Sequence, residues 1–309
     1  YHPMLAGVVE ELKARGLARA SQGALCVFWD DDELPPMLIQ KSDGAFLYAT
    51  TDLAAIKYRM ERWRPDEIIY VTDARQQLHF RQLFSAARRW SVVGDAMLRH
   101  VSFGTILGPD GTPFKTRSGE LVELQTLLDE AQRRARAVVQ EKNPDLPPEE
   151  MDRIAEVVGI GAIKYADLSQ NRQSDFFFNW DKMLALQGNT APYLQYAYAR
   201  IRSIFRKGQE PLGGPAAAPT ISEPAERTLA VRLLRFPEAV ADAADDYRLN
   251  VICAYLYELS AAFTTFYETC PVLKADSRVR ASRLLLCDLT ARTLQTGLNL
   301  LGIEVLERM

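Results

Sequence analysis

The sequence has 309 residues, 48% hydrophobic and 25% charged, which excludes a disordered chain and is enough for one large domain or two ordinary ones. A formal net charge of -3 and a pI near 5.8 exclude a chain-wide basic footprint, so any RNA contact must come from a local patch. The four cysteines, Cys26, Cys253, Cys270 and Cys287, form no C-x-x-C pair and there are only three histidines, so neither a disulfide framework nor a metal site is expected and a reducing cytoplasm fits best.

In chain order, residues 37–41 (MLIQK) and 45–49 (AFLYA) read as short strands about a Ser42-Asp43-Gly44 turn, since Asp-Gly favours a tight hairpin. Thr50, Thr51 and Asp52 supply cap chemistry for a helix over 53–63, where Leu53, Ile56, Met60 and Trp63 share a face; Pro65 and Asp66 end it. Residues 67–72 (EIIYVT) form an apolar run of the kind buried in a parallel sheet. Asp73 opens the next helix, striped by Phe80, Leu83, Phe84 and Ala87, and 98–107 (LRHVSFGTIL) predicts another strand. This alternation marks an α/β doubly wound parallel sheet, a partial Rossmann-like fold whose ligands sit beyond the carboxyl ends of its strands.

From residue 121 the pattern turns helical. Helices are expected over 121–142, from Pro147 toward Asp167, and over 188–207, 227–246, 250–268 and 276–301, making an all-α helical bundle. The Gly-, Pro- and Ala-rich stretch 208–219 reads as a surface connection. The expected divisions are 1–120, 121–186 and 187–309. No apolar run reaches the ~18–20 residues of a membrane span, and no signal peptide is visible.

Several residues carry chemistry in this frame. Tyr48 and Asp52 fall where a strand is expected to give way to a helix. A fixed carboxylate there accepts two guanidinium donors in a fork, and tyrosine adds a hydroxyl and a flat face. A plainer reading, a helix cap and a core tyrosine, fits the same residues. Gln76 and His79, one turn apart after 67–72, can face the same crevice, although a lone histidine there also serves structure. Lys115, Thr116, Arg117, Ser118 and Gly119 suit either a loop that meets developing phosphate charge or an ordinary turn with solvated charges. His100, Phe103 and Gly104 just upstream suit an adenine pocket, where a glycine permits close backbone approach. Tyr193, Tyr196 and Tyr198 beside Arg200, Arg202, Arg206 and Lys207 combine aromatics and cations as readers of unstacked bases do. Tyrosines at helical spacing are also common in cores, and Phe263, Phe266 and Tyr267 carry the same two readings.

Four blocks, FLYATTDLAAIKYR, IIYVTDARQQLHFRQLF, VSFGTILGPDGTPFKTRSGELVEL and GNTAPYLQYAYARIRSIF, together with LLGIEVLERM at residues 300–309, stand in the order and spacing of a known family. Over essentially the whole chain the sequence resembles the class I arginyl-tRNA synthetases. The resemblance implies ATP-dependent activation of arginine and its transfer to tRNA(Arg), with Mg2+ accompanying ATP and no tightly bound metal, in a cytoplasmic monomer without a membrane. It implies that Tyr48, Asp52 and Gln76 hold arginine. His79, His100 and Gly104 are assigned with it to the ATP side. Lys115, Thr116, Arg117 and Ser118 stand in for the Lys-Met-Ser-Lys-Ser loop. Residues 121–186 become a helical stem-contact region and 187–309 an anticodon-binding domain, with Tyr193, Tyr196, Arg200 and Met309 on the tRNA. Two departures matter: the second lysine of the loop is missing, and no His-Ile-Gly-His-type signature occurs. The expectation is therefore a C-terminal portion that forms no adenylate by itself. A tRNA-binding module without catalysis and a class I synthetase for another amino acid remain open, though Asp52 with Tyr48 favours a cationic side chain.

Overall fold

The computed structural model describes residues 1–29, 34–108, 111–112, 123–210 and 220–309, and contacts divide the chain into Tyr1–Gly104 and Thr105–Met309. In the first unit, Leu5, Val8, Val9 and Leu12 recur at helical spacing and are buried by α1 (Leu5–Ala14). An antiparallel meander follows, β1 (Ala18–Ser21), β2 (Ala24–Val27) and β3 (Met37–Gln40). Its first turn has Gln22 and Gly23 both at positive φ, 49° and 82°, the twist a two-residue hairpin prefers.

The expected hairpin at Ser42–Gly44 forms only in part. Its return strand shrinks to one bridge between Gln40 and Phe46, and Tyr48 opens α2 (Tyr48–Trp63). Two interactions move the helix start forward. The N–H groups of Thr50 and Thr51 donate to the Leu47 carbonyl, and the buried Thr50 hydroxyl donates to the Ile39 carbonyl. The hydroxyl therefore ties the helix to β3 rather than capping it.

The expected strand at 67–72 is β4 (Glu67–Asp73), paired in parallel with β5 (Met97–Phe103) so that Tyr70 lies opposite His100. A 3-10 turn (Ala74–Gln76) and α3 (Gln77–Arg89) connect them. The core of this unit is closed by Ile39, Leu53, Ile56, Leu83, Ala87 and Trp90, all 0% exposed. Each large aliphatic side chain buried this way contributes about 1.5–3 kcal/mol.

The second unit begins with β6 (Ile106–Leu107), parallel to β7 (Phe176–Phe177). The single strand expected over 98–107 is therefore interrupted at Gly104-Thr105, where the Thr105 N–H donates to Asp175 Oδ1 at 2.6 Å. The helices are α4 (Leu124–Lys142), α5 (Pro148–Leu168), a short α6 (Trp180–Met183), α7 (Ala191–Gly208), α8 (Pro224–Leu234), α9 (Phe236–Asp246), α10 (Leu249–Thr269) and α11 (Ser277–Leu300). The single helix expected over 227–246 is two, because Pro237 sits in the first turn of α9 and has no N–H for an intrahelical bond. α10 is apolar and long enough to cross a bilayer by length and composition. Its Leu256, Leu259, Phe263 and Phe266 are instead wholly buried in the bundle core.

α4 and α5 approach at Gly159, where an added Cβ would lie 2.8 Å from the backbone of Ala131 and Gln132. Backbone cannot rotate aside as a side chain can. Gly159→Ala is therefore expected to destabilise the protein by about 1–3 kcal/mol, seen as a lower urea midpoint with an unchanged slope. An unaltered midpoint would show that the two helices separate at no cost.

Candidate functional site

In the first unit the candidate residues gather at the α2 N-terminus and the carboxyl ends of β4 and β5. Tyr48 and Asp52 are four apart on α2 and so share a face. Tyr48 is 86% exposed, which removes the core reading of this residue. His79, on α3, reaches Asp52 with Nε2 2.7 Å from Oδ2. An ionised carboxylate only accepts, so Nε2 carries the proton of this bond. Oδ1 of Asp52 has no partner among the described residues. The carboxylate is thus fixed from one side and open on the other, as a receptor for a planar donor fork requires.

The turn before α3 is held by Asp73. Its carboxylate accepts from the Arg75 backbone N–H at 2.8 Å and from the Arg75 guanidinium at 2.9 and 2.8 Å. The Arg75 side chain holds the Asp73 carboxyl well down, to about 2. This turn positions Gln76, which is exposed at its end.

His100 lies deeper. Its Nε2 is 2.8 Å from Thr72 Oγ1, and its ring stacks on Phe80 with centroids 4.5 Å apart. Phe80 in turn meets Tyr70 at 4.9 Å and His79 at 5.2 Å. Burial pushes the Tyr70 hydroxyl up to about 12 against the opposing influence of Arg59, which donates to it at 2.9 Å. Tyr70 therefore stays neutral as a wall behind the two histidines. Sequence reasoning passed over Tyr70 and Thr72, although their positions two apart on a strand put both on one face. Gly104 follows β5 directly. Lys115, Thr116, Arg117 and Ser118 lie outside the described residues.

In the second unit α7 buries Leu194, Gln195 and Tyr198 and leaves Tyr196 40% exposed. The Arg200 guanidinium lies over Tyr196 at 4.8 Å and over Tyr267 of α10 at 5.8 Å. Tyr267, 41% exposed, stacks on the buried Phe263 with centroids 6.0 Å apart. Of the second aromatic cluster, Phe263 and Phe266 are thus core and Tyr267 is surface. Tyr196, Arg200 and Tyr267 line a groove of about 840 Å³ together with Arg206, Lys207, Lys274, Arg308 and Met309. Among the described residues Arg200, Lys207, Lys274 and Arg308 meet no carboxylate, and Glu150 is the one acid in the lining. A local positive patch thus exists despite the net charge of -3.

Tyr193 turns instead toward Tyr257, at 5.8 Å, and Thr264. The structure therefore brings Tyr196, Arg200 and Met309 to one groove and leaves Tyr193 out of it. Sequence reasoning missed Lys274 and Arg308, whose proximity depends on distant helices.

Residues 1–180 match the family model for tRNA synthetases class I (R), catalytic domain, and residues 194–309 match the DALR anticodon binding domain. The chain belongs to the class I arginyl-tRNA synthetase family. It is 51% identical to an arginine–tRNA ligase of Hahella chejuensis over 100% of its own length and 54% of that relative. Two solved arginyl-tRNA synthetases share the architecture. The Plasmodium falciparum structure matches with a TM-score of 0.83 and 31% identity, over 100% of this chain and 53% of that one. The Thermus thermophilus structure matches with a TM-score of 0.83 and 30% identity, over 99% and 58%. The chain spans about half the length of the curated relatives it matches. Within the arginyl-tRNA synthetase family, then, this sequence holds parallel strand pairs followed by a helical DALR domain.

Proposed function

We propose that these residues form the arginine side and the RNA side of an arginine–tRNA ligase. The reaction is ATP-dependent activation of arginine, with Mg2+ accompanying ATP, followed by transfer to tRNA(Arg) in translation. Asp52, Tyr48 and Gln76 hold the arginine. His79 orients Asp52, and His100 and Gly104 border the nucleotide. Lys115, Thr116, Arg117 and Ser118 meet the pyrophosphate charge. Tyr196, Arg200 and Met309 serve the tRNA from the groove, and Tyr193 serves it from outside the groove on the same helix. Residues 1–120 form the second half of the catalytic domain, 121–186 the stem-contact region and 187–309 the anticodon-binding domain of a cytoplasmic monomer. No covalent enzyme nucleophile is needed, because positioning and charge stabilisation carry the reaction.

One observation carries the amino acid assignment: the Asp52 carboxylate, held by His79 and open at Oδ1 beside an exposed tyrosine. Citrulline has arginine's length but a neutral urea group. In the full-length enzyme with tRNA present, citrulline is expected not to replace arginine in ATP–pyrophosphate exchange. Exchange with citrulline near the arginine rate would overturn the assignment, since the carboxylate would then discriminate nothing. A second reading, RNA binding without catalysis, is favoured by the groove cations Arg200, Lys207, Lys274 and Arg308, which meet no carboxylate among the described residues. It predicts tRNA binding with no arginine-dependent exchange by any chain containing these residues.

A further inference from the structure

Glu307 stands at the centre of a set of contacts that the ligation chemistry does not use. Its Oε1 accepts from the Tyr198 hydroxyl at 3.1 Å, its Oε2 accepts from Arg202 Nε at 2.6 Å, and its carbonyl accepts from Arg206 at 2.7 Å. All three donors lie on α7, the helix that also presents Tyr196 and Arg200.

The preceding residues are tied down as well. Gln195, buried on α7, donates through Nε2 to the Glu304 carbonyl at 2.9 Å. Lys164 of α5 donates to the Gly302 carbonyl at 2.6 Å. Leu306 and Met309 pack on the apolar cluster of α4 and α5 around Ala135, Val139, Met151 and Ile154. With Leu306, Glu307 and Met309 all anchored, Arg308 is the residue of this segment turned to the groove without a partner among the described residues.

We propose that Glu307 is a positioning residue for RNA binding: it latches residues 302–309 to α7 and so sets Arg308 in the groove. This rests on the groove being the tRNA surface. The assignment makes a prediction whose sign is unusual. Glu307 is an exposed acid beside an RNA surface, so simple Coulomb reasoning says that removing its charge tightens binding. The latch says the opposite, because a flexible Arg308 must be ordered on binding. Glu307 is the exposed member of its pair with Arg202, 56% against 19%, and ion pairs open to solvent on one side add little to global stability. Loss of fold therefore does not confound the measurement.

The test uses the full-length enzyme and tRNA(Arg), with Kd, the KM for tRNA and kcat measured at several salt concentrations. Glu307→Gln is expected to raise the tRNA Kd and KM about tenfold, the loss of one well-placed charge-assisted contact. The thermal midpoint, kcat and the arginine KM should be unchanged. Arg308→Ala should weaken binding similarly and lower the salt slope by roughly one contact, about 0.7 on a single strand. The Glu307→Gln/Arg308→Ala double variant should be no weaker than either single one. Tyr198→Phe, which removes one donor and no charge, should shift Kd in the same direction. Unchanged or tighter binding by Glu307→Gln, or additive effects with Arg308→Ala, overturns the latch. Arg200→Ala separates the two levels: if it leaves tRNA affinity intact, the groove itself is not the tRNA surface and both readings fall.

Discussion

Replacing Asp52 by alanine is expected to remove arginine recognition from the full-length enzyme while leaving the KM for ATP within about twofold. The guanidinium would lose the carboxylate that His79 holds in place. Removing one member of a desolvated, hydrogen-bonded charge pair costs about 2–5 kcal/mol. At 1.4 kcal/mol per decade this raises the arginine KM roughly 30- to 3000-fold. Asp52→Asn separates charge from shape. An amide oxygen still accepts from His79, so the side chain stays oriented, yet most of the loss should persist because a neutral oxygen forms the weaker bond. His79→Ala should do less, since it frees the carboxylate without deleting it. Asp52 is partly exposed at the start of α2, so the thermal midpoint should barely move. Arginine titration of the Asp52→Ala enzyme decides the matter, and an unchanged affinity would place the guanidinium elsewhere.

Glu226→Ala should cost the DALR domain about 3–5 kcal/mol of stability. Glu226 is 0% exposed on α8 and pairs with Arg283 of α11, Oε1 to Nε at 2.7 Å. Its other oxygen accepts the backbone N–H groups of Ser222 at 2.8 Å and Glu223 at 3.0 Å. Arg283 also donates to the Pro271 carbonyl at 2.8 Å. Through Arg283, one carboxylate thus joins the start of α8, the loop after α10 and the second turn of α11. Truncating it strands a buried guanidinium. Replacing both partners with apolar residues of similar volume should recover most of the loss, because the desolvation of two charges disappears with them.

The same carboxylate sets a pH dependence. Burial alone would push the Glu226 carboxyl up, but Arg283 and the two backbone donors outweigh it and hold it below the ordinary value. The unfolded chain therefore binds the proton more tightly than the folded one. This contribution is complete above the unfolded value of about 4.3 and is lost as pH falls through the lower folded one. Urea denaturation between pH 7 and pH 3 should show wild type approaching Glu226→Gln at the acid end. Parallel curves across that range would show that the carboxylate adds nothing to folding.

How far the molecule could be read from its sequence depends on how local each feature is. The run from α2 through β5 was legible because the apolar period switches cleanly between 3.6 and 2. Of the meander, β3 was legible and β1 and β2 were not: ARAS and ALCV, at four residues each, are too short for their period to decide. Tyr48 was placed on a strand because 45–49 is apolar and Thr50-Thr51-Asp52 resembles a cap. What decided otherwise was the Thr50 hydroxyl finding a carbonyl eleven residues back. The break at Pro237 was legible in principle and outweighed by the continuous apolar pattern around it. At the candidate site the residue types were legible from the motifs, but the Asp52–His79 bond was not. It depends on how Phe80 and Tyr70 bring α3 against α2. Arg202 and Arg206 read as cations ready for phosphate, whereas both are engaged by Glu307, more than a hundred positions away.

That separation along the chain has a consequence for the order in which the protein can be made. Tyr198 and Glu307 are 109 residues apart, and so are Gln195 and Glu304. At roughly 5–20 residues per second of synthesis, α7 waits on the order of 5–20 s for the segment that closes over it. During that interval its aromatic and cationic face has no finished groove. A ribosome that releases the chain short of Glu307 therefore yields a helical domain whose groove between α7 and α10 stays unassembled.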